Sequence, residues 1–147
     1  MVTKDLGADV KELLDVYEKQ VRSVLEMAVP VWQAALTQQE SIKIERVQRY
    51  AFYIILGEDF KSYGEALCSL KFDKLADRRI KLCEKFAKKS LKHEKYQNWF
   101  SLNEKQSMKN TRKNSKEKAN KFKPVRTRTE RYRKSPLPYL TEILNKL

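Results

Sequence analysis

Between Lys74 and Lys92 six basic residues, Lys74, Arg78, Lys81, Lys85, Lys88 and Lys92, recur with a 4-3-4-3-4 spacing. At about 100° per residue that rhythm keeps all six within about 40° of one line along an α-helix. Leu75, Leu82, Cys83 and Phe86 fall on another side of the same helix, so that side can face a core. Asp77 and Glu84 share a flank and leave the stripe uninterrupted. Like charges four residues apart repel by a few tenths of a kcal/mol per pair. Either plain solvent or a polyanion has to accommodate them.

The rest of the chain supports helices as the default. Only three glycines, at 7, 57 and 64, occur in 147 residues, too few for phosphate-cradling loops or many β-turns. Asp9 can cap a helix with apolar positions Val10, Leu13, Leu14, Tyr17, Val21, Val24 and Leu25. Pro30 predicts a kink or break near Val29, with Trp32 packed just beyond it. Thr37-Gln38-Gln39-Glu40 is a capping box for a second helix ending at Leu56, with Ile44, Val47, Ala51, Ile54 and Ile55 on one face and Gly57 as C-cap. Ser62 to Glu65 is a second box, opening a short helix through Leu70, and Asp73 is placed to cap the striped helix. Tyr96, Trp99 and Phe100 are expected to fold back and close the core.

Charge is unevenly distributed. Residues 1–100 hold 18 Lys and Arg against 15 Asp and Glu, whereas 101–147 hold 14 against 4, within a net charge of +13. From 101 to 134 there is almost nothing to bury except Met108, Phe122 and Val125, so a largely disordered basic arm is expected. Ser135-Pro136 then reads as an N-cap with proline at the first helical position, opening a short amphipathic helix with Leu137, Tyr139, Leu140, Ile143, Leu144 and Leu147. The expected organisation is all-α: a bundle of about four helices over 1–100, the arm over 101–134, and a terminal helix over 135–147.

Composition narrows the function. The longest apolar run, Tyr50 to Leu56, is far below the ~20 residues of a membrane span, and the first residues carry no secretory core. An intracellular protein, nuclear or cytoplasmic, with no membrane partner is the expectation. Cys68 and Cys83 are too few for a disulfide framework and read as small buried hydrophobes. Neither a P-loop, a dinucleotide glycine fingerprint nor an HExxH motif is present. The single histidine, His93, reads as an exposed helix-end residue, and Glu58-Asp59 as a charged loop. No catalytic residue, metal ligand or cofactor is therefore assigned.

The net charge favours a polyanionic partner, nucleic acid first. On the second helix Lys43, Arg46 and Arg49 alternate with Tyr50 and Tyr53 on the outer side, where cations can meet phosphates and rings can stack on bases. The six stripe residues and, in the arm, Arg126, Arg128 and Arg131 complete the candidate set. The arm's charge also suits binding without sequence preference or a nuclear import signal.

The order of short blocks resembles a known family. Val21-Arg22-Ser23-Val24-Leu25-Glu26 followed by Val29-Pro30-Val31-Trp32 is similar to the helix after the polymerase core of non-LTR retrotransposon reverse transcriptases, especially the jockey-like group. Ile44-Glu45-Arg46-Val47-Gln48-Arg49-Tyr50-Ala51 through Ile54-Ile55-Leu56-Gly57 resembles that family's next signature. Tyr63 to Leu70, then Leu75, Arg78-Arg79, Leu82-Cys83 and Phe86 to Lys89 continue it, and Arg131 to Leu140 with Leu144-Asn145 resembles the usual end of those polyproteins. The catalytic aspartate pair of the family's palm is absent, as is its upstream endonuclease. The resemblance implies a C-terminal thumb and post-thumb region, starting at its own methionine, that grips RNA or RNA–DNA hybrid beside a palm domain without polymerising. Two alternatives stay open: an interaction module exposing apolar surface around Val24, Trp32 and Leu36, or a retroelement relic without function.

Overall fold

A computed structural model describes residues 9–102 and 121–147. Helix α1 (Val10–Val16) runs on through a π-helical segment, Tyr17–Arg22, into α2 (Ser23–Glu26). Next come α3 (Val29–Trp32) with a 3-10 turn (Gln33–Ala35), α4 (Gln38–Leu56) with a 3-10 turn (Gly57–Asp59), α5 (Tyr63–Leu70), α6 (Leu75–Lys92) and α7 (Glu94–Gln97). Two more helices, α8 (Glu130–Arg133) and α9 (Pro136–Lys146), close the chain. Among the described residues the fold is all-α, its only extended pairing a single bridge between Leu102 and Phe122.

Thr37 and Ser62 cap their helices with the predicted side-chain bonds, whereas Asp9 and Ser135 stand at N-cap positions without one. Thr37 Oγ1 accepts the Glu40 amide at 3.3 Å while Glu40 Oε2 accepts the Thr37 amide at 2.8 Å, which completes the capping box. Gly57 ends α4 at a φ of 55°, a conformation that favours glycine. Ser62 Oγ accepts the Glu65 amide and starts α5. That helix closes at Lys71, in the left-handed region, with the Phe72 amide returning to the Leu67 carbonyl at 2.9 Å. Near Pro30 the chain breaks as expected: α2 ends at Glu26, Ala28 takes a φ of 53°, and a new turn begins at Val29.

The chain divides into two compact units, one of residues 1–29 and 36–80, the other of 30–35 and 81–147. The expected boundaries at 100 and 134 do not coincide with these; the division falls inside α6. In the first unit, Tyr17, Phe52, Ile55, Ala66 and Leu67 form the core, with Leu13, Leu14, Phe60, Tyr63 and Phe72 packed around them. Tyr17 and Phe72 each meet the Phe52 ring edge-on, at 5.4 and 5.3 Å.

Two predicted faces are turned. Leu13, Leu14 and Tyr17 face the core, but Val10, Val21 and Val24 are exposed, Val24 at 66%. For Val21 and Val24 the cause is the π segment; Val10 stands before it, at the first position of α1. The segment's i→i+5 turns are wider than α-helical ones, so a face extrapolated from Tyr17 at α-helical spacing misses the core. Arg22, five residues after Tyr17, points inward instead, its guanidinium over the Phe72 ring at 5.3 Å. On α4, Gln48, Phe52 and Ile55 are buried, while Val47 and Ile54 of the predicted face are exposed. Phe52 offers more apolar area than Val47, and Gln48 is held by a bond from Nε2 to the Asp73 carbonyl at 3.1 Å.

The second unit buries Cys83, Ala87 and Ser90 of α6 with Phe100, Phe122, Leu140, Thr141, Ile143 and Leu144. Residues 103–120 of the predicted arm, Met108 included, lie outside the described residues. From 121 onward the arm is anchored at Phe122. Its amide donates to Asn145 Oδ1 at 2.9 Å, its carbonyl accepts from Asn145 Nδ2 at 3.1 Å, and its ring meets Phe100 edge-on. A carboxamide thus imitates the two-bond pairing of a β-ladder. Of the three aromatics expected to close the core, Phe100 is buried, Tyr96 half-buried and Trp99 exposed. Cys68 is exposed, a correction to its reading as a buried hydrophobe: α5 buries Ala66 and Leu67 and turns position 68 outward.

Candidate nucleic-acid interface

The stripe on α6 divides into residues tied into the fold and residues that face solvent. Arg78 belongs to the first kind. Its Nε and Nη2 donate to the two carboxylate oxygens of Glu26, at 2.5 and 3.0 Å, and this bidentate pair raises the guanidinium pKa further. Arg79, which the stripe does not include, is buried and donates from Nη2 to Ser41 Oγ. Lys74, Lys81, Lys85, Lys88 and Lys92 are exposed. In the second unit, Lys81, Lys85, Lys88, Lys89 and Lys92 line one shallow surface groove, with Glu84 the single acid among them. Lys89 joins this group from just beside the predicted line. Among the described residues, Lys85, Lys88, Lys89 and Lys92 pair with no carboxylate.

The outer face of α4 belongs to the first unit. Lys43, Arg46, Arg49, Tyr50 and Tyr53 are all exposed there, the two tyrosines at 65% and 56%. Their rings lie 6.3 Å apart and within 25° of parallel, and Phe60 meets Tyr53 edge-on at 5.6 Å. Both acids of α4 are engaged elsewhere. Glu40 closes the capping box, and its Thr37 bonds hold the carboxyl below the ordinary carboxylate range. Glu45 points to the opposite side, where it accepts the Tyr63 hydroxyl at 2.5 Å and the Leu75 and Ala76 amides at 3.2 Å each. It therefore caps α6 from a different helix, with the favourable sign for the positive end of the helix dipole. Burial, with the bond to Glu45 next, pushes the Tyr63 phenol pKa well up. No local signal announces this cap, because donors and acceptor stand 30 and 31 residues apart.

The remaining candidates are dispersed. Arg126 and Arg128 are exposed on the irregular stretch before α8, and Arg131 is exposed on α8 itself. There Glu130 is held below its usual pKa by the Arg133 guanidinium, with a pair distance of 2.7 Å. His93 caps α7 by accepting the Lys95 amide at Nδ1, a structural role. Glu58 and Asp59 sit exposed on the turn after α4. Among the described residues, no three His, Cys, Asp or Glu side chains converge on a metal position, and no helix is long and apolar enough to cross a membrane. Compared with known proteins, the chain matches no family model, no curated protein and no solved structure.

Proposed function

We propose that this chain is a helical nucleic-acid-binding module, the thumb and post-thumb part of a retroelement RNA-directed DNA polymerase, which holds RNA or RNA–DNA hybrid without polymerising. The observation that carries the reading is the groove on α6, where five lysines surround one glutamate and four of them have no carboxylate partner among the described residues. A row of ammonium groups on flexible stems suits phosphates, whose positions do not depend on base sequence. Its binding is driven by counterion release, so the logarithm of affinity falls linearly with the logarithm of salt. Filter binding of a labelled RNA–DNA hybrid over a salt series tests this. A steep negative slope is expected; a flat slope, or no retention in low salt, refutes it.

A second reading, docking onto a palm domain, rests on Val24, which stays exposed together with Val21 and Met27. Trp32 and Leu36, the other residues of that expected patch, are half-buried. Light scattering separates the two: an exposed apolar docking face promotes association that rises with concentration and persists in high salt.

A further inference from the structure

We infer that the outer face of α4 is a platform for single-stranded nucleic acid, read by stacking of unpaired bases on Tyr50 and Tyr53. This deepens the proposed function and rests on it, because the lysine groove accounts for phosphate binding but offers no surface to a base.

Three observations converge. First, the rings are presented outward. The core of this unit takes its aromatics from Tyr17, Phe52, Tyr63 and Phe72, whereas Tyr50 and Tyr53 are left more than half exposed. A duplex hides the faces of its bases, and only an unpaired strand can lay them on such rings. Second, the rings are held. Tyr53 is backed edge-on by Phe60, a residue packed against the core, and Tyr50 lies nearly parallel to Tyr53. Successive bases can then stack in one orientation without the rings first having to be ordered. Third, the electrostatic setting is mainly cationic. Lys43, Arg46 and Arg49 are exposed, and none of the three forms a salt bridge among the described residues. Of the two acids of α4, Glu45 is turned onto α6, while Glu40, bonded to Thr37, stays exposed within electrostatic reach of Lys43. Glu58 and Asp59 repel phosphate beyond the Phe60 end and Glu40 beyond the Lys43 end, which confines a bound backbone to the stretch between Lys43 and Tyr53.

The test uses the intact chain with a labelled oligouridylate and a blunt RNA duplex of equal length, at one low salt concentration. The double variant Tyr50→Ala/Tyr53→Ala is expected to weaken oligouridylate binding at least about tenfold while duplex binding changes less than about twofold. Tyr50→Phe/Tyr53→Phe is expected to restore it, because the ring stacks and the hydroxyl does not. The circular dichroism of both variants reports whether the helices are intact. Equal losses on both probes, or no loss on the single strand, overturn the inference and leave the lysine groove as the binding element. If the unmodified chain binds neither probe, the nucleic-acid reading and this inference both fall. Sedimentation of the free chain gives the last outcome: self-association abolished by Tyr50→Ala makes the face a protein contact and also overturns the inference.

Discussion

Two basic surfaces, the outer face of α4 and the C-terminal half of α6, differ in what stands between their cations. On α6 the spacing residues are more lysines and one glutamate; on α4 they are two exposed tyrosines. Lysine is a hydrated point charge on a flexible stem, whereas arginine and tyrosine are planar groups that stack. Net charge treats the two surfaces as equal, although one matches phosphate alone and the other matches phosphate with bases. The contrast extends into the stripe itself, where Arg78 is tied to Glu26 and Lys88 is not tied to anything described.

The contrast breaks most readily at Glu45, whose carboxylate is turned onto Tyr63 and α6 and not onto the outer face of α4. Glu45→Ala strands the Tyr63 hydroxyl and two amides of α6, and should lower stability by about 3 kcal/mol, read as a shift of the urea midpoint. A loss under about 1 kcal/mol would mean that the carboxylate is not held there. Next in size, Lys85→Glu/Lys88→Glu/Lys92→Glu should reduce the salt slope by about three and weaken single strands and duplexes alike. A loss confined to single strands would erase the difference between the two surfaces. Arg78→Ala should destabilise the chain by about 1–2 kcal/mol, a figure reduced because the Arg78 side chain is 31% exposed, while Lys88→Ala should stay within about 0.5 kcal/mol. Similar values for the two would show that the stripe is uniform after all.

The smallest effect concerns acid. Bonds from Thr37 hold the folded-state pKa of Glu40 below its unfolded value of about 4.3. The capping box therefore contributes stability above that pH and loses it as pH falls through the folded-state value. Glu40→Gln removes the ionisable group while leaving an amide oxygen to accept the Thr37 amide, so urea midpoints measured from neutral pH into acid should fall less steeply in the variant than in the parent chain. Identical pH profiles would show that the cap does not couple to protonation.

Much of the helical layout is legible in residue order, because caps are local chemistry. Thr37 with Glu40, Ser62 with Glu65, and Gly57 work within one helical turn of themselves, and Pro136 opens α9 although the Ser135 side chain makes no cap bond. Which face of a helix turns inward is less local. A π segment of six residues changed the phase of the first helix, and nothing in Tyr17–Arg22 marks it in composition. On α4 the core took Phe52 with Gln48 rather than Val47 with Ile54, because a polar side chain with a fixed partner can be buried.

The candidate site divides the same way. Lys81, Lys85, Lys88 and Lys92 share a groove, as their spacing implies, and Tyr50 and Tyr53 stand outside with Arg46 and Arg49. Arg78 left the group because Glu26 lies 52 residues upstream, and Lys89 entered it from the flank. The part played by Phe60 came from the turn after α4, which folds its ring onto Tyr53.

Residue order by itself therefore determined the all-α class, the approximate bounds of α4, α5, α6 and α9 and the exposure of a lysine row, since these follow from backbone bonding and side-chain period within a few residues. Tertiary structure alone decided which charges stay available. Arg78 and Glu26 pair with each other across the fold, and Glu45 and Arg79 are held by groups of other helices, whereas Lys85, Lys88, Lys89 and Lys92 have no carboxylate partner among the described residues. A charge is neutralised by what approaches it in space, and its neighbours in the chain do not specify that.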